Sequence, residues 1–426
     1  MKTCTSSPFS IHPSAETRPT ASTLPATPPT RGGQMTATAE HTVAAERTAD
    51  AEHAATIAAR LRGLGPVLSK DHLDNDRNGH FSRESWDALR ATGLLGMPFD
   101  SRFGGSGVSI PETMEALEVL GEVSRDGGLA FSAVTSMASS ATPLNDFAPP
   151  ALKQAYLPGL CDGSLIGAHA ITELDSGSDA LSMETRAVRN GGDFVLDGAK
   201  AFITNAGLAD VYVIYAKTAE NAGPLGITAF LVEAGTPGLT AGAPVRKMGL
   251  GTSPMAELTL ESCRVPAGNV IGRVGGGFLV LDHVMEREIL YSFIVNVGEM
   301  SARLQRCVEY ARVRRQYGKT IGSYQQVAQK IVDMSIGTST SRMWLFEAAR
   351  LISQGKRATR EVSIAKLLTS RYNLASSLDA VQVFGGRGYL TESGLEQEVR
   401  NSIAGSIYSG TNELQYNRIA SMIGLK

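Results

Sequence analysis

The sequence predicts an α+β protein in which a helical region, a β domain and a longer helical region follow one another. Three observations carry this. Early in the chain, apolar residues recur at three- and four-residue spacing, as in TMEALEVLGEVSRD, the period of a helix with one buried face. Near Ser164 the pattern changes to short β-branched runs separated by Gly, Asn and Asp, which read as strands and turns. After the GGGF run beginning at Gly275 the helical period returns and persists in several long segments, of a kind suited to a bundle.

Taken in order, residues 1–40 are rich in Ser, Thr, Ala and Pro, a composition that buries too little apolar surface to offset chain entropy, so a disordered extension is expected. Lys2, Arg18 and Arg31 against Glu16 give it a superficial likeness to a transit peptide, but its prolines break any amphipathic helix. A leader extension with a start upstream of Met35 explains it at least as well. Residues 41–163 form the helical domain. PFDSRFGGSGVSIPET interrupts it, with Gly104, Gly105 and Gly107 marking a loop and Ser109 placed to cap the helix that Pro111 begins. Residues 164–274 carry TRAVRNGGDFVLDGAKAFITN, DVYVIYAKT, GITAFLVEAG and AELTLESCRVP, whose spacing describes an antiparallel barrel or sandwich. Residues 275–426 form the C-terminal bundle.

Composition narrows the function. With 42% hydrophobic and 19% charged residues the chain has an ordinary globular balance. Its 40 basic and 42 acidic residues include no dense Lys/Arg block, so the footprint of a nucleic-acid binder is missing. No apolar run approaches the roughly 20 residues that a membrane helix needs. Cys4, Cys161, Cys263 and Cys307 are far apart, which excludes a Cys-x-x-Cys metal or redox motif and makes a disulfide scaffold implausible; a cytoplasmic location is expected. GKT at Gly318–Thr320 lacks the upstream glycine of a phosphate loop, because that position is Val313. GGRG at Gly385–Gly388 sits among helices and does not continue as a dinucleotide fingerprint.

Six motifs remain: AITELDSGSD (Ala170–Asp179), GAKAFITNA (Gly198–Ala206), the run Lys247–Gly272, RRQYGKTIGSYQQ (Arg314–Gln326), QVFGGRGYL (Gln382–Leu390) and YSGTNELQ (Tyr408–Gln415). In this order they resemble the acyl-CoA dehydrogenase family. The resemblance implies an N-terminal α-helical domain, a middle antiparallel β-barrel and a C-terminal four-helix bundle, with FAD held between the β domain and the bundle in a homotetramer or homodimer. It further implies that Thr172 and Thr204 address the flavin ring, Phe202 covers one face, and Ser178 lies near the pyrophosphate, which Arg314 reaches with its planar guanidinium. Gln325, Gln382, Gly386 and Thr411 match further flavin-contacting positions, some supplied by a neighbouring subunit, while Tyr317 stands where Phe is more frequent and Glu413 where Gln is common, a departure that weakens an adenine contact there.

One departure concerns the chemistry. Where most of the family places its catalytic glutamate, this chain has Ser409, and a hydroxyl is too weak a base for a carbon acid unless activated. Members lacking that glutamate carry a substitute on the first long bundle helix, and alignment of LDHVMERE (Leu281–Glu288) places Glu286 there. Glu286 and Glu288 point about 200° apart on a helix, and the Met285/Ile289 stripe favours Glu286, which is taken as the base. The expected reaction is FAD-dependent dehydrogenation of an acyl thioester, with an electron-accepting flavoprotein as partner. The Thr204–Thr218 region resembles dehydrogenases that act on acyl or peptidyl carrier proteins in biosynthetic pathways rather than on CoA thioesters. Arg303 and Arg306 on the same helix are expected to meet an acidic carrier surface. Rival readings are an ordinary acyl-CoA dehydrogenase, a flavin monooxygenase or oxidase, and a non-catalytic binding subunit.

Overall fold

The computed structural model describes residues 33–425, with side chains from Thr48 onward. The chain divides into two units. The first, Met1–Thr48, is described only where helix α1 (Gly33–Leu68) begins; the second, Ala49–Lys426, holds every other element. The extension expected over residues 1–40 lies outside the described residues up to position 32.

The N-terminal helices continue with α2 (His72–Asn78), α3 (Arg83–Arg90), α4 (Ile110–Val123), α5 (Gly127–Val134), α6 (Thr142–Phe147) and α7 (Pro150–Asp162). Ser82 caps α3 and Asp126 caps α5 by accepting from backbone N–H groups in the first helical turn, Ser85 N and Leu129 N. Ser109 occupies the N-cap of α4, with Pro111 in its first turn, but makes no side-chain cap bond. Its backbone N donates instead to the Asp50 carboxylate at 3.0 Å. Between α5 and α6, residues Thr135–Ala141 form a π-helical segment, buried throughout.

The β domain contains β1 (Gly167–Ala170), β2 (Arg186–Asn190), β3 (Asp193–Thr204), β4 (Val211–Lys217), β5 (Ile227–Glu233), β6 (Leu239–Ala241), β7 (Met255–Pro266) and β8 (Val270–Ile271). β7 buries Ala256, Leu258 and Leu260 on one face, as alternation requires. The strand order is β6-β7-β3-β2-β4-β5-β8, with β1 also on β4. This sheet does not close, which corrects the barrel expectation. β6 and β8 are its free ends, and β2 meets β4 through the single pair Arg186–Lys217 while β1 takes Val211–Ile214 of the same edge. Two half-sheets are therefore hinged at one residue pair. Both contacts to that edge are parallel, so the sheet is mixed rather than antiparallel.

The bundle has three long helices, α8 (Gly277–Val313), α9 (Gln325–Ser353) and α10 (Thr359–Phe384), and two short ones, α11 (Leu395–Ala404) and α12 (Asn412–Met422). Four were expected. The glycines after α10 divide the last segment: Gly385 and Gly394 take left-handed φ values of 59° and 71°, which stop helices. A two-residue hairpin pair, β9 (Arg315–Gln316) and β10 (Lys319–Thr320), joins α8 to α9. Helix α4 packs on α8 with backbones in close approach: a Cβ on Gly121 would lie 2.0 Å from Val295 O, and one on Gly298 2.0 Å from Glu118 O.

Arg303 and Arg306 do not face outward as expected. Arg303 is 1% exposed, and its Nε donates to Glu398 Oε2 at 2.7 Å while Arg306 Nη2 donates to Oε1 at 2.7 Å. Arg303 also donates to Asn373 O, Asn373 Oδ1 and Ser376 Oγ. The counter-charge on α11 and the acceptors on α10 make an inward guanidinium cheaper than the periodicity of α8 alone suggests. Among the described residues no helix is long and apolar enough to cross a membrane, and no cluster of metal-ligating side chains occurs.

Candidate active site

The chain reaches the site from four directions. Helix α8 carries Glu286 and Glu288; the π-helical segment brings Ser139; β1 brings His169; and the loop before α12 brings Ser409. That loop is tightly specified. Ser409 and Gly410 both have positive φ, 55° and 80°, and Thr411 caps α12 by accepting from Leu414 N. On one side the Tyr408 hydroxyl donates to Asn296 Oδ1 at 2.9 Å. On the other, Asn412 Oδ1 accepts from Lys366 Nζ at 2.8 Å and Ser370 Oγ at 2.9 Å.

The carboxylate that this loop meets is Glu288. Ser409 Oγ donates to Glu288 Oε1 at 2.6 Å, and Ser139 Oγ donates to Oε2 at 2.6 Å. His169 Nδ1 lies 4.0 Å from Oε2, with its ring edge-on to Tyr215 at 5.1 Å. Burial lowers the pKa of His169, outweighing the attraction of Glu288, so the imidazole is neutral near pH 7. His169 Nε2, Tyr215 OH and, one turn beyond Glu288, Ser292 Oγ are buried without a hydrogen-bond partner. Unsatisfied polar atoms gathered around one carboxylate mark a place where a ligand completes the bonding.

Glu286, two residues before Glu288 on α8, is half-buried. Burial raises its carboxyl above the usual range, with Arg287, Asp282, His283 and Arg357 as its charged surroundings. Around the two glutamates α8 leaves Asp282 exposed and Met285, Glu286, Arg287 and Glu288 half-buried, and a fully buried run over residues 289–295 follows.

The cofactor-type positions fall on three stretches of chain. Ala201 N donates to Thr172 O at 2.8 Å, which draws Thr172 against β3, where Phe202 and Thr204 lie. Phe202 is 57% exposed, at φ 59°, where the β3–β7 register shifts. An aromatic held outward on strained backbone, flanked by half-buried threonine hydroxyls, fits a planar heteroaromatic ring stacked on it. Ser178 is exposed on the loop after β1. Arg314 at the C-cap of α8, Tyr317 at the hairpin turn and Gln325 at the start of α9 are all exposed, Tyr317 at 96%. Gln382 and Gly386 are exposed at the end of α10, Glu413 is exposed in the first turn of α12, and Thr411 adjoins the Ser409 loop.

A buried ion pair unnoticed in the sequence holds the first stretch. Lys200 Nζ donates to Glu173 Oε1 at 2.7 Å and to Ile171 O at 3.1 Å, and Glu173 also accepts from Glu184 N and Thr185 N. Burial lowers Lys200 to about 8. Burial opposes ionisation of Glu173 too, but Lys200 and the backbone donors bring its carboxyl below the usual range, so the pair is charged at neutral pH. Both residues belong to the AITELDSGSD and GAKAFITNA motifs, the only signal that pointed to them.

Three domain profiles match this chain in order: acyl-CoA dehydrogenase N-terminal domain over residues 66–164, middle domain over 168–263 and C-terminal domain over 275–424. The chain belongs to the acyl-CoA dehydrogenase family. Among its relatives, an L-prolyl-[peptidyl-carrier protein] dehydrogenase of Serratia sp. is 38% identical over 360 residues, 84% of this chain and 93% of that one. Two solved structures superpose with a TM-score of 0.85. One is the prolyl acyl carrier protein oxidase AnaB, 35% identical, covering 87% of this chain and 98% of that one. The other is PigA with FAD and proline, 37% identical, covering 88% and 98%.

Proposed function

We propose that this protein is an FAD-dependent dehydrogenase of an acyl thioester carried on a carrier protein in a biosynthetic pathway, and that Glu288 is its base. The observation that carries this is the 2.6 Å bond between Glu288 and Ser409, which puts a carboxylate beside the position whose usual glutamate is missing. The likeness to carrier-protein dehydrogenases and to a structure holding FAD and proline supports the carrier and the cofactor.

When bound, FAD supplies the hydride acceptor for the carbon next to the deprotonated one. Phe202, Thr172 and Thr204 would hold its ring system, with Ser178 and Arg314 at the pyrophosphate. Glu288 takes the proton adjacent to the thioester carbonyl. Beside Ser409, the Tyr408 ring meets Phe131 and Phe293 in tilted contacts at 4.7 and 5.2 Å. The exposure of Tyr317, Gln325, Gln382, Gly386 and Glu413, with Thr411 half-buried, supports a flavin shared across a homotetramer, and an electron-accepting flavoprotein is proposed to reoxidise it.

The test is mass spectrometry of acyl panels, each group on a carrier protein and on CoA, after incubation with enzyme and an artificial electron acceptor. Loss of two mass units from a small or cyclic carrier-bound group is expected. Equal or higher kcat/KM on the CoA thioester returns the protein to the ordinary acyl-CoA dehydrogenases.

A further inference from the structure

Replacing a catalytic glutamate by glycine or alanine would leave space; this chain places a hydroxyl there at a conformational cost. Ser409 has φ 55°, a region that a residue with a Cβ enters only under constraint. What it obtains is the bond to Glu288 Oε1. Ser139 reaches the other oxygen from the π-helical segment, a local geometry that recurs at functional sites. Each carboxylate oxygen thus accepts one neutral hydroxyl, which leaves lone pairs for a substrate C–H.

We propose that Ser139 and Ser409 are positioning residues that together aim the Glu288 carboxylate at the substrate without neutralising it. This rests on the reading of Glu288 as the base. A glutamate has several side-chain torsions, and a near-attack geometry is lost with displacements of about 1 Å. The two hydroxyls approach from different elements, so they fix the plane of the carboxylate as one donor cannot. The other titratable groups facing Glu288 are His169 on β1, Tyr215 on β4 and Tyr408 on the α12 loop, with Lys200 acting on His169. None of them is a cation that would hold the carboxylate in place of the hydroxyls, since His169 is neutral and Lys200 is engaged by Glu173.

The experiment compares Ser139→Ala, Ser409→Ala, the double variant and Glu288→Gln as FAD-loaded enzymes. Each alanine variant is expected to lower kcat about tenfold, the scale of one charge-assisted hydrogen bond, with KM within about twofold. Ser139→Thr, which keeps the hydroxyl, should recover most of the rate. Substrate-free infrared difference spectra of the Glu288 carboxylate, assigned by its loss in Glu288→Gln, should shift in both alanine variants. Ser409→Gly suits the left-handed backbone and serves where Ser409→Ala fails to fold. Wild-type rates and carboxylate band in the double variant, beside an inactive Glu288→Gln, would overturn the positioning role and leave Glu288 standing. An active Glu288→Gln removes both.

Discussion

Glu288 and Glu398 are two partly buried carboxylates of the same helical region, and each has both oxygens occupied. Glu398 is held by the guanidinium groups of Arg303 and Arg306, Glu288 by the hydroxyls of Ser409 and Ser139. The consequence differs with the donor. Burial works against ionisation of Glu398, yet the two arginines bring its carboxyl below the usual range, so it is a spent base locked into the bundle. Hydroxyls orient Glu288 just as firmly but bring no charge to cancel. Glu398 is paired with charge, whereas Glu288, the proposed base, is held by neutral donors.

Breaking the paired site should produce the largest effect. Arg303→Met leaves Glu398 bonded to the partly exposed Arg306, with Arg125 as its other nearby cation, and removing one partner of a buried pair costs about 3 to 5 kcal/mol. Urea unfolding measures this, and a loss below about 1 kcal/mol would mean that the network relaxes around the gap. Breaking the aimed site should leave stability untouched. Glu288→Gln is expected to keep its Tm within a few degrees while substrate-driven flavin bleaching slows by about a hundredfold or more; a stopped-flow trace decides it.

Between these extremes lies Glu299, which shares α8 with Glu288. Burial raises it to about 7, although Arg303 and Asn296 favour its charged form. A folded pKa above the unfolded value of 4.5 means that the native state binds more protons between about pH 4.5 and 7. Its contribution to stability is then full below that window and is lost as pH rises through 7. Glu299→Gln should abolish this slope, so the variant gains on the wild type by about 2 to 3 kcal/mol between pH 4.5 and 8. Paired denaturation curves with equal slopes would contradict the shift. The smallest effect is expected from Arg306→Ala, because Arg306 is partly solvated and Arg303 remains on Glu398; about 1 kcal/mol is the scale, read by Tm.

The order of the domains was legible because each has its own period. The α4 cap position and the β7 alternation are local signals, and local chemistry specifies them. Closure of the sheet was not legible. It depends on whether β2 and β4 pair along their length, and one residue pair, Arg186–Lys217, cannot be read from either strand alone. The same limit separated Glu286 from Glu288. Within LDHVMERE the apolar stripe favours Glu286, whereas the contacts that motivate the proposal of Glu288 come from Ser139 and Ser409, which lie 149 and 121 residues away. Arg303 was misplaced for the corresponding reason, since its partner Glu398 arrives from 95 residues downstream.

The glycines where α4 meets α8 have a consequence for how the base is located. Gly298 sits in a notch against Glu118 O, and Gly121 in one against Val295 O. Glu288 lies on the same rigid helix about 15 Å from Gly298, at 1.5 Å of rise per residue. The notch is thus a datum and the intervening turns of α8 a ruler. A single methyl at position 298 must slide or lift the helix, and that displacement would arrive at the carboxylate, so the reaction can be detuned from a place that never touches substrate.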